Sequence, residues 1–294
     1  PDIQKERQYY IEQGLKFIQN SKADKSLYDD ALENLLKAEK IEKTDYFLLQ
    51  KIGFIYMFSP KHFDLNKALD YFFKSSKYSF SETHSFSKQT VNYLENDISK
   101  DLSKQLKDIF DVKNITINTY LYIARGYYIL KDYHNSIVYI KKAKMLNENS
   151  IDASYDLVKY LCKIGQIDKA IVELKELINK DRFITLKILN DLDIIQHPEV
   201  MYVLKSLKNE ALTKANSEIK KLKSYQVTNK SVETIIKKIE NLLFNDNYLD
   251  AELANDLLKK EYVFNFVYYN KANSNLDNYF KNIKNFSDLN KERF

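Results

Sequence analysis

The chain of 294 residues is 44% hydrophobic and 30% charged, a balance that belongs to a folded protein and excludes a disordered tail. Its 46 basic and 41 acidic residues leave a net charge of +5, and only Arg7, Arg125, Arg182 and Arg293 are Arg. Bidentate grips on phosphate or guanine are therefore scarce, and nucleic acid is not the expected partner. With 4 Gly and 3 Pro, a strand-and-turn architecture would lack the residues its turns need, and helix is favoured.

No apolar run approaches the roughly 20 residues needed to cross a bilayer, and no basic start with a cleavage site opens the chain. A cytoplasmic protein without membrane contact is expected. The start at Pro1 rather than Met suggests a piece of a longer protein. The lone Cys162 lies in an apolar helical stretch and reads as a buried, inert thiol.

Residues 1–80 hold two helical pairs. In the first, Tyr10, Gly14 and Phe17 mark one helix and Ala31, Leu35 and Ala38 the next, across the polar turn "NSKADKSLYDD". In the second, Leu49, Ile52, Gly53 and Tyr56 are followed by Ala68, Phe72 and Ser75, again across a lengthened turn. Residues 81–114 interrupt the pattern. Ile98, Leu102, Leu106, Ile109 and Phe110 recur at helical spacing, which predicts an amphipathic helix over the second half and leaves the first half as a loop. Two placements stay open for this insertion, over the groove or on the outer face.

Residues 115–183 hold two more pairs. Tyr120, Ile123, Ala124 and Tyr127 are followed by Ser136, Ile140 and Ala143 across "LKDYHN". The arrangement returns 34 residues on, with Leu157, Val158 and Leu161, then Ala170, Leu174 and Leu177 across "KIGQID". Gly165 lies in that last turn, where a positive φ is useful. The 23 Tyr and 17 Phe recur at these packing positions, so most are core.

These positions resemble the tetratricopeptide repeat (TPR), in which small residues let paired helices approach while large ones fill the gaps between neighbours. The resemblance covers four repeats, about half the chain, two with the family spacing and two with lengthened turns. It implies an all-α, right-handed α-solenoid of helical hairpins with an inserted helix and a C-terminal helical cap. Residues 184–210 resemble the tail that closes such arrays in bacteria by covering the last apolar face, with Asp193 to Leu207 as two short helices broken near Pro198.

Residues 211–294 read as a C-terminal helical extension. A Lys-rich helix reaches about Lys223, a break falls at "SYQVTNKS", and a hairpin splits at "NDNY", with Ala251 and Ala254 suited to a degenerate fifth repeat. Leu276, Tyr279, Phe280, Ile283 and Phe286 share one face of a final helix.

Motifs that carry chemistry are absent. His62, His84, His134 and His197 are isolated from one another and from Cys162, so no metal is expected. There is no GxGxxG, GxxxxGK[ST] or GxSxG, hence no phosphate loop and no nucleophile elbow. The pairs Asp29/Asp30 and Asp191/Asp193 border predicted helices, where N-capping accounts for them. Neither catalysis nor a cofactor is expected.

The family resemblance further implies that first-helix side chains facing away from the second helix line a concave groove. These are Phe47, Gln50, Phe54 and Met57 in the second repeat, Asn118, Leu121, Arg125 and Tyr128 in the third, and Tyr155 and Lys159 in the fourth. The set is apolar toward the N-terminus and basic toward the middle. It suits a protein or peptide ligand with apolar anchors and a carboxylate, Arg125 offering a fork and Lys159 a point charge. The expected function is a non-catalytic protein–protein interaction scaffold within a larger bacterial signalling or defence protein. Two alternatives stand beside it: homo-oligomerisation through the C-terminal helices, and nucleic-acid binding through the Lys-rich stretch 205–238.

Overall fold

The computed structural model describes residues 2–94, 102–224, 230–259 and 281, with the backbone alone over 82–94 and 102–111 and at 231. Among the described residues every regular element is a helix. They form two compact units, Pro1–Ile194 and Ile195–Phe294.

The first unit is a succession of hairpins: α1 (Ile3–Asn20) with α2 (Leu27–Ile41), α3 (Tyr46–Phe58) with α4 (Leu65–Leu94), α5 (Leu102–Ile129) with α6 (Tyr133–Leu146), and α7 (Ile151–Lys163) with α8 (Ile167–Lys180). Each helix packs on its hairpin partner and on the next hairpin, so α2 meets α3, α4 meets α5 and α6 meets α7. The starts are set by short polar side chains that accept orphan backbone N–H groups. Asp45 accepts from Leu48 N at 2.9 Å, Asp64 from Lys67 N at 3.0 Å, Asp132 from Asn135 N at 3.1 Å and Ser150 from Ala153 N at 3.3 Å. Gly165, at φ +72°, ends α7 in the left-handed region.

Small residues set how close paired helices lie. A Cβ placed on Gly14 would sit 2.5 Å from Leu35 Cδ2, and one on Gly53 would sit 2.8 Å from the Phe72 ring; Leu35 and Phe72 are fully buried. Gly126 does the same job between neighbouring hairpins, 2.7 Å from Leu69 Cδ2 of α4. Ala124, Ala143 and Ala170 are likewise fully buried.

The loop expected over the first half of 81–114 is a correction: α4 continues to Leu94 because nothing between Leu65 and Leu94 is Gly or Pro. The helix expected over the second half is the beginning of α5, which runs from Leu102 to Ile129 without a break. The insertion thus lengthens the two helices of the adjoining pairs. Ile98, which the sequence pattern grouped with this helix, lies outside the described residues.

Two short helices, α9 (Ile184–Ile188) and α10 (Leu192–Ile195), close the first unit, with Ile188 and Ile194 fully buried. The second unit contains α11 (Pro198–Ser224), α12 (Lys230–Phe244) and α13 (Tyr248–Leu258). Pro198 stands at the first position of α11, where its missing N–H costs nothing. Ala215, Ile219, Leu222, Val232, Ile236, Ile239, Ala254 and Leu257 form the core, and the buried Asn255 amide donates to Ala211 O at 3.0 Å. The boundary expected at 210/211 falls inside α11, which passes it unbroken; the compact units divide between Ile194 and Ile195. The face of Leu276, Tyr279, Phe280, Ile283 and Phe286 lies outside the described residues.

The capping expectation for Asp29 also changes. Asp29, in the first turn of α2, accepts from Lys61 and pairs with His62 Nε2 at 2.6 Å, tying α2 to the α3–α4 turn. His62 is thereby held by a carboxylate.

The close approach at Gly53 yields a test. Gly53→Ala should lower stability by about 1 kcal/mol, because the overpacking cost against a buried Phe72 exceeds what Ala gains over Gly in a helix. Urea unfolding should show a lower midpoint at unchanged slope.

Candidate partner-binding groove

The first helices α3, α5 and α7 carry the side chains that the sequence assigned to the groove. On α3, Phe47, Lys51, Phe54 and Phe58 follow one another at helical spacing and form a stripe. Phe54 meets Phe58 at 4.7 Å and Tyr122 of α5 at 5.9 Å, ring centre to ring centre, while Tyr122 stacks on the buried Phe72 at 5.1 Å. Phe58 keeps 43% of its surface exposed, and Asn118 of α5 is exposed beside this row in sequence phase.

Gln50, Met57 and Leu121 point elsewhere. The Gln50 amide is 2% exposed and donates to Ile115 O at 2.9 Å and Thr119 Oγ1 at 2.8 Å, so it bonds α3 to α5. Met57 and Leu121 are each 4% exposed, and Met57 Cε lies against Gly126. Gln50 and Met57 hold neighbouring repeats together, because α3 packs directly on α5 and their side chains reach α5.

The basic end of the groove is occupied by the chain's own carboxylates. Arg125 Nε donates to Asp156 Oδ2 at 2.7 Å, and the Asp156 side chain is only 8% exposed. Burial raises the Asp156 carboxyl above its ordinary value even with the guanidinium beside it. Tyr128 donates to Asp193, and Tyr155, 5% exposed, donates to Asp191 Oδ2 at 2.5 Å. Lys159 Nζ reaches Asp191 at 3.0 Å and Asp193 at 3.2 Å, and Lys163 pairs with Asp193. Tyr128 also stacks on Tyr160 at 4.8 Å.

Burial alone would raise Asp193, but the bonds from Lys163, Tyr128 and Lys159 outweigh it and hold the carboxyl at about 2. Cys162 moves the other way: burial, then the charges of Asp191 and Asp193, push its thiol up to about 11, which keeps it protonated. Asp191 serves twice. Its Oδ1 accepts from Asp193 N at 3.0 Å as a cap for α10, and its Oδ2 takes Tyr155 and Lys159.

Arg125, Tyr128, Tyr155 and Lys159 are thus brought together around internal carboxylates, and the partner carboxylate assigned to Arg125 and Lys159 has its counterpart within the chain. Sequence reasoning missed Lys51, Phe58, Tyr122, Asp156 and Lys163. Phe58 and Lys51 were findable by extending the Phe47–Phe54 helical phase in both directions along α3. Asp191 and Asp193 carried no such signal, because capping explained them locally.

The hairpins make an all-α helical-repeat fold. No family model matches the chain, and no curated protein matches it. Solved structures are similar at low identity. The crystal structure of MamA protein is 17% identical, with 61% of this chain and 94% of that chain covered at a TM-score of 0.29. The MamA RS-1 ArsTM double mutant is 15% identical, with 60% and 95% covered, also at 0.29. Among the described residues, no group of three His, Cys, Asp or Glu is placed to hold a metal, and no helix is long and apolar enough to cross a membrane.

Two measurements check this electrostatic account. Arg125→Met strands a buried carboxylate and should cost about 2–3 kcal/mol, whereas Arg125→Met with Asp156→Leu should recover most of it; a double-mutant cycle by urea unfolding reads both. For Asp193, the folded carboxyl is depressed to about 2, so its stabilisation is present above the unfolded range near pH 4 and is lost as pH falls through the folded value. Asp193→Asn should cost about 1 kcal/mol at neutral pH, allowing for solvent screening of a partly exposed group, and the difference from wild type should close toward about pH 2.

Proposed function

We propose that the chain is a non-catalytic protein-interaction module that receives a segment of a partner protein on its concave face, as a cytoplasmic part of a larger bacterial signalling or defence protein. One observation carries the reading. The row Phe47, Phe54, Phe58 and Tyr122 remains partly open to water, whereas the groove positions of the third and fourth repeats, Asn118 apart, are buried or engaged by the chain's own carboxylates. Covering such rings removes roughly 25 cal/mol of apolar cost per Å² of surface. Rings already fixed against one another lose little entropy when a ligand covers them. An extended or helical segment with apolar anchors fits this row.

Part of the Lys-rich stretch is answered within the chain, which counts against nucleic acid. Lys208 bonds Asp246 at 3.0 Å, Lys221 bonds Glu218 at 2.8 Å and Lys223 pairs with Glu240. These cations answer carboxylates of the same chain.

The test is capture of partners from the source cell with the chain immobilised, comparing wild type, Phe58→Glu, Asn118→Arg and the second-helix control Val172→Glu, all checked for equal helicity. Partners held by wild type and Val172→Glu but reduced at least tenfold by Phe58→Glu and Asn118→Arg would support the groove. Loss confined to Val172→Glu would overturn it.

A further inference from the structure

Resting on that reading, we infer that Lys51 is the point at which the groove takes a carboxylate, and that the partner segment carries an Asp or Glu beside its apolar anchors. Lys51 stands one helical turn from Phe47 and one from Phe54, in the middle of the aromatic stripe of α3. Its ammonium lies 4.9 Å over the Phe47 ring and 3.4 Å from Gln50 Oε1. Gln50 cannot swing toward solvent to serve it better, because its NH₂ group is committed to Ile115 and Thr119.

The contrast with Arg7 and with the other cations along the groove is chemical. Arg7 is answered by Glu42 and Asp45, Arg125 by Asp156, Lys159 by Asp191 and Asp193, and Lys163 by Asp193. Among the described residues, Lys51 has no carboxylate. It keeps donors for which the described residues supply only a long contact to a neutral amide and a ring face, and burial pulls it below the ordinary lysine range. A partly desolvated cation with unused donors gains most from a charged acceptor. The aromatic neighbours narrow the class of ligand. Phe54, Phe58 and Tyr122 meet at 45–70° rather than lying flat, which suits aliphatic or aromatic side chains inserted between them and not a run of stacked bases.

The experiment is selection of a random twelve-residue peptide library on the whole chain, in parallel with Lys51→Gln, Lys51→Glu and Phe58→Ala with Tyr122→Ala, and with a twelve-nucleotide single-stranded DNA as a second probe. Circular dichroism verifies each fold; removing an uncompensated charge should leave it intact. Wild type should select an Asp or Glu at a fixed offset from apolar residues. Lys51→Gln should bind those peptides about tenfold more weakly and lose the acidic position, and Lys51→Glu should select Lys or Arg there instead. If the selected motif depends on Phe58 and Tyr122 but ignores the charge at position 51, the groove reading stands and this inference falls. If it depends on neither, or if no motif emerges, or if only the DNA binds, both fall.

Discussion

A cation or phenol withdrawn from water is stable only where something accepts its hydrogen bonds. Along α5 and α7 that requirement is met from inside the chain. Asp156 answers Arg125, and the turn carrying Asp191 and Asp193 answers Tyr128, Tyr155, Lys159 and Lys163. This turn is held in place by the buried Ile188 and Ile194 on either side of it, so apolar burial and charge compensation arrive together. The C-terminal end of the groove is closed by the same contacts that stabilise the end of the repeat array.

What remains open follows from the residues left over. Toward α3 the face is a row of rings, Phe47 and Phe54 half-buried and Phe58 exposed. Tyr122 stacks on Phe72 and meets Phe54 and Phe58, so the row is rigid on one side and wet on the other. Rigidity and exposure in the same residues are what a recognition surface requires, since ordering costs are met before a ligand arrives. Lys51 brings a charge into this setting, and no carboxylate among the described residues neutralises it.

The spacing between hairpins depends on residues with little or no side chain. Gly14, Gly53 and Gly126 leave room that Leu35, Phe72 and Leu69 fill, and the absence of Gly and Pro from residues 65–94 lets α4 run on to Leu94. The repeat pattern was legible because these small positions recur at set distances from large ones. The loop assigned to the first half of 81–114 failed for a related reason: polar composition was taken for irregular backbone, when nothing in it stops a helix.

Local pattern and composition determined that the chain is helical and where the turns within its four repeats fall. Those properties depend on periodicities of three to four residues and on caps, which are written locally. Tertiary structure decided the state of each groove residue. Gln50 and Met57 turn into the seam between hairpins, Leu121 is buried, Arg125 and Lys159 meet carboxylates 31 and 32 residues away, and Lys51 meets none among the described residues. Whether a charge is compensated depends on which distant segment packs beside it, and no spacing within a single helix records that.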